Sequence, residues 1–84
     1  MSYRVELEKN AGKELAKLPR EIQKRLLEVL EDLSKDPRPP GSKKLIQQEG
    51  YRIRQGDYRI LYVVDDKRSL IRVYRIGHRR KVYR

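Results

Sequence analysis

An α+β fold of order β-α-α-β-β-β, in one domain spanning residues 1–84, is predicted by three features of the sequence. Apolar residues alternate at both ends of the chain, helical spacing occupies the stretch between, and a single Pro-rich connection, Asp36 to Gly41, separates helices from the later strands. Charge divides at the same place. Residues 1–40 carry 9 Lys/Arg against 8 Asp/Glu, and residues 41–84 carry 13 against 4, so the sheet half holds nearly all of the net +10. A basic surface built on one half of a small domain suits a polyanion.

Each element has its own justification. Tyr3, Val5 and Leu7 alternate with Arg4, Glu6 and Glu8, the period of a strand with one buried face. Asn10 is the expected cap of a first helix carrying Ala11, Leu15 and Leu18, and Pro19 ends that helix and opens a second. Ile22, Leu26, Val29, Leu30 and Leu33 form one apolar stripe through Ser34, so the two helices make a hairpin with a single apolar face. Tyr51 to Gln55 and Tyr58 to Val64 read as strands joined at Gly56-Asp57, and Leu70 to Ile76 as another after the turn Asp65-Asp66-Lys67. Ile60 to Val64 are apolar without interruption, so that central strand needs cover on both faces. Two helices supply one cover. The face carrying Arg59, Leu61 and Val63 is then expected to stand open as a partner site, unless the chain's own loops bury it.

Composition excludes several classes. With no cysteine there is neither a disulfide framework nor a thiolate metal site, and one histidine makes a zinc site unexpected. No apolar run approaches the ~20 residues of a membrane span and the N-terminus has no apolar signal core, so a soluble cytoplasmic protein with no membrane partner is expected. Six tyrosines are the only aromatic residues; Tyr51, Tyr58, Tyr62 and Tyr74 read as packing residues.

The segment YRIRQGDYRILYVVDD, from Tyr51 to Asp66, and the segment RIGHRRKVY, from Arg75 to Tyr83, behind a strand and a helix hairpin, resemble the RelE/ParE toxin superfamily, and the RelE branch in particular. The resemblance spans essentially the whole chain. It implies the toxin of a type II toxin-antitoxin system: a ribosome-dependent mRNA endoribonuclease that inhibits translation, with ribosome, mRNA and a cognate acidic antitoxin as partners, and no cofactor. By the same resemblance the central-strand arginine of the family is Arg59, its C-terminal arginine Arg79 and its terminal tyrosine Tyr83, while Arg52 and Arg54 stand where some members have lysines. An upstream arginine of some members is here Ile46.

These residue types fit metal-free RNA cleavage, in which the substrate's own 2'-hydroxyl is the nucleophile. Arg59 and Arg79 suit the phosphate, because a guanidinium offers a fork of donors and keeps its charge. For the same reason Arg52 and Arg54 cannot inherit a lysine's proton-transfer duty, and they are assigned with Arg80 and Lys81 to binding RNA. His78 is the one imidazole and a candidate base. Tyr83 could stack on a base or donate a proton, and Glu49 is an outside candidate for proton acceptor. Arg59, among apolar neighbours, also fits a half-buried structural arginine. Two rival functions remain open: a ParE-like inhibitor of DNA gyrase, and a catalytically weak RNA- or antitoxin-binding member, the latter motivated by Ile46 and the absent lysines.

Overall fold

The structure, a computed structural model, describes residues 2–78. In chain order the elements are β1 (Arg4–Leu7), α1 (Lys9–Ala16), α2 (Arg20–Lys35), β2 (Lys43–Lys44), β3 (Tyr51–Gln55), β4 (Tyr58–Asp65) and β5 (Leu70–His78). They form a five-stranded sheet of order β1-β5-β4-β3-β2. β1 lies parallel to β5, and the other pairings are antiparallel.

The core follows from the two periodicities. Ala11 and Leu15 of α1, and Leu26, Leu30 and Leu33 of α2, pack on Ile60 and Tyr62 of β4 and on Ile71, Val73 and Ile76 of β5. Leu26 and Leu33 are fully buried, each contributing roughly 1.5–3 kcal/mol relative to an exposed side chain. Tyr62 is also fully buried, stacks on Tyr51 at 5.9 Å between ring centroids and donates its hydroxyl to the Pro37 carbonyl at 2.8 Å. Burial pushes that phenol up to about 12, so it stays a neutral donor that pins the Pro-rich loop to the sheet.

Three details differ from the sequence-based expectation. β2 is an additional strand: the Leu45 amide donates to the Gly50 carbonyl, folding the intervening loop back so that Lys43 and Lys44 pair with Arg52 and Tyr51. Two exposed lysines carry no apolar alternation from which a strand could be read. Asn10 is not the cap of α1; the helix begins at Lys9, with Glu8 at the cap position two residues before Asn10 and without a side-chain cap bond. The far face of β4 is not left open either, since Leu61 is 1% exposed and Arg59 6%. Leu61 stands in register between Arg52 and Arg75. Val63, half-buried, has Gly50 against it.

A polar strap ties the chain's start to the sheet. Arg38 donates to both carboxylate oxygens of Asp66 (3.3 and 2.9 Å) and to the Tyr51 hydroxyl (2.9 Å), and the Tyr3 hydroxyl donates to Asp66 at 2.7 Å. Hydrogen bonds from Arg38 and then Tyr3 hold the Asp66 carboxyl below its usual range. A depressed carboxylate stabilises the fold above the unfolded-state value, and that contribution is lost as pH falls through the folded-state value. Asp66→Asn is therefore expected to lower the urea midpoint at neutral pH and to match wild type well below the carboxylate range. Equal offsets at both pH values would contradict the assignment.

Candidate nucleic-acid interface

Strand alternation sorts the basic residues onto one face of the sheet. Ile60, Tyr62 and Val64 of β4 belong to the helix-covered side, so Arg59, Leu61 and Val63 belong to the other. In register with them lie Arg54, Arg52 and Lys43 on one flank, and Gly77, Arg75 and Arg72 on the other. The far face is thus an arginine face whose centre is the row Arg54–Arg59–Gly77.

That row is locally unfavourable. Arg54 and Arg59 are directly opposed, with Cβ atoms of such pairs roughly 5 Å apart, and like charges so placed repel. Arg59 is 6% exposed, and its Nε has no hydrogen-bond partner among the described residues. A buried donor left unsatisfied costs about 1–3 kcal/mol, so the Nε–H counts against stability where it stands. Across from it Gly77 contributes no side chain. A phosphate on this row would offset the repulsion, because guanidinium groups bind phosphate oxygens through charge-assisted hydrogen bonds.

A β-bulge sets the β5 side of the face. Leu61 and Tyr62 are consecutive on β4, yet their partners are Arg75 and Val73, so Tyr74 is the extra residue. Without the bulge Arg72 and Arg75, three apart, would point to opposite faces; with it both have register positions on the arginine face. Sequence alternation alone does not single out these two cations, because a bulge leaves no periodic mark.

The other expected site residues fall in different places. His78 pairs with Tyr58, and their rings meet edge-on at 5.9 Å. Tyr58 neighbours Arg59 on β4 and packs against the helix-side core, so His78 and Arg59 are on opposite faces. Glu49 is also apart. It lines a shallow cavity of about 450 Å³ with Val63, Asp65, Asp66 and Arg72, and Val63 is four residues along β4 from Arg59, roughly 13 Å at strand rise. Arg79, Arg80, Lys81 and Tyr83 lie outside the described residues. Among the described residues no three His, Cys, Asp or Glu side chains gather as metal ligands, and no helix is long and apolar enough to cross a membrane.

Comparison with known proteins adds relatives along the full length. Residues 5–83 match the family described as ParE toxin of type II toxin-antitoxin system. Toxin RelG of Mycobacterium tuberculosis is 34% identical over 86 residues, covering 100% of this chain and 99% of that protein. In the RelBE2 toxin-antitoxin complex of the same organism, a chain at 33% identity superposes with a TM-score of 0.83, covering 94% of this chain and 100% of that one. In the archaeal RelE-RelB complex from Pyrococcus horikoshii, the corresponding values are 31%, 0.80, 98% and 100%.

Proposed function

This chain belongs to the ParE toxin family of type II toxin-antitoxin systems, and from that premise we propose that it is a RelE-type toxin that cuts messenger RNA on the ribosome and is silenced by a cognate antitoxin. The observation that carries this reading is the buried guanidinium of Arg59, its Nε without a partner among the described residues, opposite Arg54 on a face whose other register positions are mostly cationic. Relatives solved as RelB complexes support the antitoxin partner.

The chemistry is an in-line attack of the RNA 2'-oxygen on the adjacent phosphorus. The P–O5' bond breaks, leaving a 2',3'-cyclic phosphate and a 5'-hydroxyl. Arg59 and Arg54 hold the non-bridging oxygens and offset the charge that grows in the phosphorane. Arg52 and Lys43, farther along the same face, track the backbone, so binding weakens as salt rises. Neither His78, which faces Tyr58, nor Glu49, which is remote, stands beside Arg59 as a proton acceptor. We leave His78 a packing role and assign the proton steps, through the family resemblance, to Tyr83 and to groups of the ribosome. Arg79 joins the phosphate clamp, and Arg80 and Lys81 the RNA contacts, on the same ground.

Brief induction of the protein followed by primer extension on cellular messages tests the reading. New 5'-ends within translated regions, appearing as protein synthesis stops, are the expected result. A second reading, inhibition of DNA gyrase, is favoured by the ParE description of the matching family. Filamentation and DNA damage with intact messages would select it.

A further inference from the structure

β5 outruns the strand that covers its outer edge. β1 pairs with Leu70 to Val73 and then turns into α1 as the Glu8 amide donates to the Val73 carbonyl, so among the described residues the bulged end of β5 has no neighbouring strand on that side. A bare sheet edge leaves backbone donors without partners. Here Glu14 of α1 substitutes for the missing strand. Its Oε1 accepts the Ile76 backbone N–H at 2.9 Å, and its carboxylate also accepts Arg75 Nε at 3.3 and 3.1 Å. The two side chains are 31% and 29% exposed, so the pair is partly shielded. Glu14 is the only acid in α1 and lines the same shallow cleft as Lys13, Lys17 and Arg75.

We propose that Glu14 is a positioning residue for RNA cleavage, clamping the bulged end of β5 to α1 so that Gly77 stays opposite Arg59. This role rests on the RNA-cleaving reading given above. Glu14 itself touches no substrate. Its action runs through Ile76, the residue between the bulge and Gly77, and through the Arg75 side chain, which it draws to the sheet edge. Loss of the clamp lets the end of β5 shift along or away from β4, and a displacement of about 1 Å at a reacting site costs up to ~100-fold in rate.

The test compares wild type, Glu14→Gln and Glu14→Ala on ribosome-bound message, together with hydrogen exchange at the Ile76 amide. Glu14→Gln keeps an oxygen that can accept from Ile76. Glu14→Ala is expected to lower the single-turnover rate at saturating protein by about 10- to 100-fold while the half-saturating concentration moves little, and to speed exchange at Ile76. Glu14→Gln should restore the slow exchange and most of the rate. A wild-type rate in Glu14→Ala, or a glutamine variant no better than alanine in both readouts, overturns the proposal. Should alanine fail to fold, the glutamine variant decides: slow exchange and near-wild-type rate support the clamp, and loss of either rejects it. If wild type leaves the message intact, the RNA-cleaving reading falls and takes the positioning role with it. Exchange at Ile76 then separates that failure from a wrong placement of Glu14.

Discussion

Arg59→Leu is expected to abolish message cleavage and at the same time to stabilise the protein. Arg59 is 6% exposed, lacks a partner for Nε among the described residues and opposes Arg54 across the β3–β4 pair. Leucine removes a buried donor and a like-charge contact, and adds apolar surface in a row next to Leu61. The gain is on the order of 1–3 kcal/mol, the cost of an unsatisfied buried polar group. For a domain of this size each kcal/mol moves Tm by roughly 4–8 °C. Activity moves the other way, because removing one donor that stabilises transition-state charge typically costs about 10²–10³ in rate. The opposed signs are the diagnostic feature. If Arg59 were a structural arginine satisfied in the fold, Arg59→Leu would lower Tm, and cleavage would fall only with the folded fraction.

Gly50→Ala is expected to be strongly destabilising. Gly50 has φ +114, and a Cβ there would stand 2.5 Å from the Tyr62 carbonyl oxygen and 3.1 Å from Val63 Cγ1. The nearest obstacle is backbone of the central strand, which cannot rotate aside. Backbone strain of about 1–3 kcal/mol and a packing conflict of similar size together give roughly 3 kcal/mol or more. Small domains hold only about 5–15 kcal/mol in total, so a large part of the stability goes. The loop also returns the Leu45–Gly50 hydrogen bond that makes β2 possible. Gly56→Ala is the internal control: φ is +61, nothing lies within 4 Å of a Cβ, and the loss should be ~1–2 kcal/mol. Urea midpoints of the two variants check the ranking, and equal losses would show that the Tyr62 contact is relieved cheaply.

Periodic features make most of the fold legible in the amino-acid sequence. The stripe Leu26, Leu30, Leu33 and the alternation through Ile60 and Tyr62 place the helices on one side of the sheet, and both patterns survive in the buried core. What escapes a reading of the sequence is aperiodic. β2 comes from a loop returning on itself around Gly50, and the bulge at Tyr74 comes from a single extra residue on β5. The bulge matters most for the site. It carries Arg75 to the face of Arg72, and beyond it His78 shares a face with Tyr58 and not with Arg59. Arg59 is legible as a cation among apolar neighbours, but its burial and its unpartnered Nε are not, because both are set by tertiary packing. Glu14 is invisible for a related reason: its partner is a backbone amide 62 positions away.

The most direct test of the arginine-face account is the chemistry of the cut ends. Purified protein is added to ribosomes stalled on a defined message, and both fragments are analysed for their termini. A clamp that serves attack by the RNA's own 2'-oxygen leaves a 2',3'-cyclic phosphate upstream and a 5'-hydroxyl downstream, and Arg59→Leu suppresses both. Fragments carrying a 5'-phosphate, or cleavage undiminished in Arg59→Leu, would contradict it.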